Sequence, residues 1–176
     1  MNRFVRIALT VAAMGLVFSA SEAQAQIGFS IAGGPTFPLG DAGDFLDMGY
    51  HVQASAIFSL PLLPIGIQAD GAFNRFAYSD VDDANFQSLS GSINAVINLP
   101  TPGITPYLIG GVGYYNLKDE TPLGDADVND FGINAGAGVR LGLPGIGGVF
   151  AEARLHNVFT ENESTRFVPV SLGIRF

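Results

Sequence analysis

Cysteine and tryptophan are absent from this chain of 176 residues, lysine occurs once, as Lys118, and charged side chains make up only 14 % of it. Without cysteine there is no disulfide and no thiolate or redox chemistry, so a small exported domain must be held by packing and hydrogen bonds alone. The shortage of base, with a net charge of −8, excludes nucleic acid, whose phosphates need a basic surface. After residue 25 there is no apolar run of the roughly 18 residues that a transmembrane helix needs. A β-barrel carries no such run and escapes that test.

What is present begins with a basic pair, Arg3 and Arg6, followed by an apolar run over residues 7–20 and the small residues of Ala23-Gln24-Ala25. This order predicts a secretory signal peptide over residues 1–25, cleaved after Ala25, with an apolar run too short to serve as a membrane anchor. Residues 26–176 are the right size for one domain. Without Arg3, Arg6 and Glu22, the eight basic and sixteen acidic residues fall to six and fifteen, a net charge of −9.

From Ile27 onward the hydrophobic period is two. Ile27, Phe29 and Ile31 alternate with small residues. Met48, Tyr50, Val52, Ala54, Ala56 and Phe58 oppose His51, Gln53 and Ser55, with Ile57 out of pattern. The alternation continues through Ile65–Phe73, Leu89–Leu99, Phe131–Leu143, Val149–Leu155 and Val168–Phe176. These are strands with one apolar and one polar face. The remaining segment, ITPYLIGGVGYYNL, is apolar in both registers. Carrying the parity across a four-residue turn at 100–103 turns Leu108, Val112 and Tyr114 outward and Tyr107, Ile109, Gly111 and Gly113 inward.

The count is eight strands. Three connections are tight Pro/Gly turns, PLLP, PTPG and PGIGG, and four are longer loops, at residues 40–47, 78–86, 118–130 and 160–166. The loops hold thirteen of the fifteen acids, leaving only Asp70 and Glu152 in strands. The expected fold is an all-β, eight-stranded antiparallel up-and-down barrel, with both chain ends on the short-turn side.

Parity alone does not say which face is outside. Strands of ten to thirteen residues suit a tilted bilayer crossing. The minor face is built of Gly, Ser, Asn and Ala, small side chains that fit inside eight strands, where a soluble barrel would display Lys and Glu. Tyr50, Phe73, Tyr114, Phe131 and Phe159 fall toward the long-loop ends, as an aromatic girdle would. The apolar face is therefore expected to meet lipid. On the polar face, Arg140, Arg154 and Arg175 gather around Glu152 if residues 144–148 form the turn, with Asp70 reaching them across the lumen and Asn94 beside it. Buried charges must pair, so this network is expected to stabilise the barrel rather than catalyse.

Over residues 27–176 the chain resembles the small bacterial outer-membrane β-barrels of the OmpA/OmpX-like class. The resemblance rests on the signal peptide, the eight alternating strands and a last strand ending Val170, Leu172, Ile174, Phe176. It implies an integral outer-membrane protein with both termini periplasmic, in contact with outer-membrane lipid and lipopolysaccharide. It also implies that the final four alternating residues are the signal read by the barrel-assembly machinery. OmpA itself carries a peptidoglycan-binding domain after its barrel, which is not expected here, so a cell-wall role is not carried over.

Three functions are compatible with such a barrel. The first is a non-enzymatic structural or surface-interaction protein, monomeric and without cofactor. The second is a narrow channel for water, ions or small solutes, favoured by the inward glycines of the fifth and sixth strands. The third is a lipid-modifying membrane enzyme, disfavoured because His156 is not followed two positions later by serine and paired carboxylates are scarce. His51, Asn74 and His156 point inward near the loop end, where they could line a pocket. Asp125, Asp127 and Asp130 resemble the start of a calcium loop but lack its central glycine and terminal glutamate. They are read as a solvated acidic surface, with weak divalent-cation bridging to lipopolysaccharide phosphates as the sharper alternative.

Overall fold

The alternating segments become eight antiparallel strands: β1 (Gln26–Leu39), β2 (Gly49–Ser59), β3 (Ile65–Ala77), β4 (Asn85–Asn98), β5 (Thr105–Thr121), β6 (Gly124–Leu143), β7 (Gly147–Phe159) and β8 (Ser164–Arg175). The computed structural model describes residues 26–59, 64–79, 84–99, 101–121, 124–143, 147–160 and 164–176. The expected signal peptide lies outside them. Each strand pairs with its neighbour in sequence, and β1 pairs with β8, so the barrel closes. Closure pairs every strand on both sides, the condition a sheet must meet in hydrocarbon. A short helix, α1 (Asp41–Phe45), follows β1.

The chain end is part of that closure. Phe176 donates its N–H to the Phe29 carbonyl at 2.9 Å and accepts from the Phe29 N–H at 2.8 Å. Ile31 sits opposite Ile174 in the same seam.

Side chains divide by parity. Outward residues such as Val52, Ile93, Val112 and Leu172 are exposed, whereas Gln53, Asp70, Asn94, Asn134, Glu152 and Arg154 are buried inside. Leu108, Val112 and Tyr114 of β5 face out, and Tyr107 and Ile109 face in. Ile57, out of pattern in the sequence, is buried on the inner side. Tyr50, Tyr114, Phe131 and Phe159 are exposed toward the long-loop end, and Tyr114 packs edge-on against Phe131 with centroids 5.1 Å apart.

The connections depart from expectation in two respects, the extent of the long loops and the length of the turns. Residues 118–130 are mostly not a loop: β5 and β6 continue as a ladder in which Lys118 faces Asp127 and Thr121 faces Gly124. Polar cross-strand pairs hold this extension; the Asn116 amide donates to Asp127 and, at 3.0 Å, to Asn129. A tilted strand crosses a bilayer in about 9–11 residues, so the 20 residues of β6 project well past it. Residues 85–86 and 164–166 likewise belong to β4 and β8.

The second departure is the turn between β6 and β7. Leu143 already pairs with Gly147, so three residues turn the chain instead of five. Gly147 makes this possible with φ 92°, a left-handed conformation in which a glycine closes a short hairpin without strain.

Candidate functional site

The polar interior is the candidate site, and its midpoint is a charged belt. Arg154 on β7 reaches across the lumen to β3, its Nη1 donating to Asp70 Oδ2 at 2.7 Å. The same guanidinium bonds Glu152 on its own strand, with Nε donating to Oε1 at 3.0 Å. Positions 152 and 154 share the inner face because the strand period is two. The second oxygen of Glu152 accepts from the Tyr107 hydroxyl at 2.9 Å. Asp70 also accepts from Asn94 Nδ2 at 2.8 Å and Gln68 Nε2 at 2.9 Å. All three charged side chains are almost fully buried. Buried charge is tolerable only when paired and hydrogen-bonded to this extent.

This arrangement differs from the one expected. One arginine lies between two carboxylates, instead of three arginines around one. The short β6–β7 turn shifts the register by two residues, so Arg140 stands opposite Phe150 and Glu152 opposite Gly138. On the other side Glu152 faces Ser171, while Arg175 faces Gly148. Arg140 instead donates from Nη1 to Asn98 Oδ1 at 3.2 Å and lies 4.9 Å from the Tyr107 ring centroid. Arg175 donates from Nη2 to Ser59 Oγ at 3.3 Å.

Toward the loop end the lumen holds neutral polar pairs. His51 Nε2 and Ser171 Oγ are 2.8 Å apart, Thr36 Oγ1 donates to Asn74 at 3.1 Å, and Tyr115 Oη lies 2.8 Å from His156 Nδ1. Beside them an apolar cluster of Leu46, Phe76, Phe86, Tyr115, Leu117, Val158 and Phe167 packs at the long-loop end of the barrel. His156 stacks on Phe167 with ring planes 7° apart. His51, Asn74 and His156 are thus members of a packed layer, each buried.

Four inward glycines, Gly113, Gly132, Gly138 and Gly173, are covered by aromatic neighbours. A Cβ on Gly132 would meet the Tyr115 ring at 2.9 Å, and one on Gly113 the same ring at 3.0 Å. Phe150 lies over Gly173, where a Cβ would come within 2.5 Å, and Tyr107 covers Gly138. The volume that glycine leaves on one strand is filled by an aromatic ring from the next. In the sequence the inward glycines of the fifth and sixth strands favour the channel alternative, because they remove side-chain volume from the lumen. The contrary signal was there, in Tyr107, Tyr115 and Phe150 at inward positions flanked by glycine-rich strands.

Asp127 and Asp130 of the β5–β6 hairpin do not converge. Asp127 accepts from Asn116, Asp130 stands opposite Tyr115, and Asp125 stands opposite Glu120. Among the described residues no three His, Cys, Asp or Glu side chains are arranged to hold a metal ion.

Solved structures match this geometry over most of the chain. Neisserial surface protein A aligns with a TM-score of 0.70 at 16 % identity, covering 85 % of this chain and 95 % of its own. The fold is that of the small outer-membrane β-barrels. The attachment invasion locus protein Ail of Yersinia pestis aligns with a TM-score of 0.56 at 14 % identity, covering 87 % and 99 %. The outer-membrane enzyme PagL aligns with a TM-score of 0.53 at 16 % identity, covering 85 % and 98 %. No family model matches the sequence, and no curated protein matches it. Identities this low carry the fold and nothing finer.

Since PagL is an enzyme on this scaffold, the outer-membrane barrel fold leaves catalysis to be judged from side chains. Among the described residues the one serine–histidine hydrogen bond, Ser171 with His51, joins β8 to β2 across the β1 seam. Ser171 is 2 % and His51 3 % exposed. A nucleophile and base need a substrate carbonyl within reach, and this pair faces the packed lumen.

Proposed function

We propose that this chain is an integral outer-membrane barrel, sealed through its lumen, with a non-catalytic structural or surface-interaction role. The observation that carries the reading is the Asp70–Arg154–Glu152 belt, which spans the interior from β3 to β7. With it go an apolar cluster at the long-loop end and glycines covered by aromatic rings. Eight strands leave an interior that side chains can fill, and these side chains fill it. The apolar outer face supports a lipid setting, and the projecting β5–β6 hairpin supplies a surface for partners outside the membrane. On this reading residues 1–25 are removed on export, both termini are periplasmic and the protein is a monomer. The strand ending Val170, Leu172, Ile174, Phe176 addresses it to the assembly machinery.

The test is single-channel conductance of residues 26–176 refolded into a planar bilayer, with folding verified by the mobility difference between unboiled and boiled samples. A silent bilayer is the expected result. Steady openings whose size changes in Glu152→Ala would replace the sealed barrel with the narrow channel.

A further inference from the structure

At the short-turn mouth the lumen carries positive charge without a carboxylate to match. Arg140 and Arg175 line a cavity of about 460 Å³ together with Ile27, Gly28, Gly142 and Phe176. Both guanidiniums line this one cavity, so two like charges share its space. Among the described residues neither has a carboxylate within 4.0 Å, the chain end included. The turns at this end, LPLLP, PTPG and PGI, contain no acid. Glu152 is engaged by Arg154 and Tyr107. Each guanidinium offers five N–H donors and makes one side-chain hydrogen bond. Arg140 Nε is buried with no partner.

Two like charges held together in a half-buried cavity are unfavourable unless an anion joins them. The lining suits one. Glycines at 28 and 142 keep the cavity free of side chains, and a Cβ on Gly142 would meet nothing within 4 Å. Arg175 rests over Gly28, where a Cβ would come 3.0 Å from its Nε. The unused donors are planar forks, the geometry that accepts phosphate or carboxylate oxygens in pairs.

The geometry points to an oxyanion-binding site between Arg140 and Arg175 at the short-turn mouth, shaped for a phosphate group. That group comes either from a soluble phosphate or from a lipid headgroup at the membrane surface. The belt at Arg154 is not part of it, because that guanidinium is saturated by Asp70 and Glu152.

The test uses protein extracted in zwitterionic micelles from membranes of cells expressing the full chain. Arginine Nε resonances are followed while inorganic phosphate is added, and in a second titration while short-chain phosphatidic acid is added, with phosphatidylcholine as the neutral comparison. Saturable shifts of two arginine signals are expected. Affinity should weaken at least tenfold in Arg140→Gln and in Arg175→Gln, and stay unchanged in Arg166→Gln, whose guanidinium bonds Asn157 at the loop end. Saturation by inorganic phosphate identifies a soluble ligand, and a response to phosphatidic acid alone identifies a headgroup. No saturable shift with either probe overturns the site, as does binding that survives in both variants. The wild-type titrations decide the question even where a variant fails to fold.

Discussion

Replacing Arg154 with methionine is the most revealing perturbation of this barrel, because the belt holds one positive charge and two negative ones. Arg154→Met removes both ion pairs and leaves Asp70 and Glu152 buried without a counter-ion. Asp70 keeps two neutral donors, Asn94 and Gln68, and Glu152 keeps one, Tyr107. Removing one partner of a buried pair costs about 3–5 kcal/mol, and the surviving neutral bonds offset part of the second loss, so about 4 kcal/mol is expected in total. Glu152→Gln leaves Arg154 paired with Asp70, a neutral couple. Gln can still accept from Tyr107, and the expected cost is about 1–2 kcal/mol, the order of one charge-assisted hydrogen bond. Asp70→Asn should resemble Glu152→Gln. The assay is urea unfolding of the barrel in lipid vesicles, read as the fraction with folded mobility on an unboiled gel, since the chain has no tryptophan to report by fluorescence. The ordering is the test. If Arg154→Met falls within about 1 kcal/mol of wild type, or no lower than Glu152→Gln, the belt does not hold the barrel in the way described.

Gly138→Ala should cost about 1–3 kcal/mol through overpacking, because its Cβ would fall on the Tyr107 ring and 2.7 Å from the Ala151 carbonyl oxygen. An unchanged urea midpoint would show that the ring is not seated on this glycine. At the loop end, burial and then the neighbouring Asp119 raise the Tyr78 hydroxyl above its ordinary value of 10.0. Since the folded state favours the neutral phenol, its contribution is complete below pH 10 and is lost as pH rises through the higher folded value. Tyr78→Phe should therefore remove a late component from the alkaline phenolate absorbance of the folded barrel, and loss of an early component instead would refute the Tyr78–Asp119 contact.

The alternation of Ile133, Ala135, Ala137 and Val139 with Gly132, Asn134, Gly136 and Gly138 was enough to assign β6 and its two faces. The ambiguous β5 yielded to the same logic, although the assumed turn at 100–103 was short by two residues: Leu99 bonds to Pro106, not to its expected neighbour. The facing survived because a two-residue slip keeps every side chain on its own side of the sheet, whereas a one-residue slip reverses it. Pairing has no such protection. The same two-residue difference at Gly147 moved Arg140 from Glu152 to Phe150 and turned an expected cluster into a three-membered belt and an unpaired arginine couple. The acidic run at 125–130 looked like a loop because its polarity matched one, and only its partners on β5 made it a strand.

What the sequence by itself determined is the set of properties that depend on parity and composition: eight strands, an apolar outside, a small polar inside, no disulfide and no basic surface. The tertiary structure alone decided what depends on register and on reach across the lumen. Arg154 meets Asp70 from 84 positions away, the rings of Tyr107 and Tyr115 fill space left by glycines on a neighbouring strand, and Arg140 and Arg175 share a mouth without an acid. Hydrophobic periodicity is a property of one strand and can be read along it. A contact between strands depends on the length of every turn between them, and three residues in place of five are enough to change which charges meet.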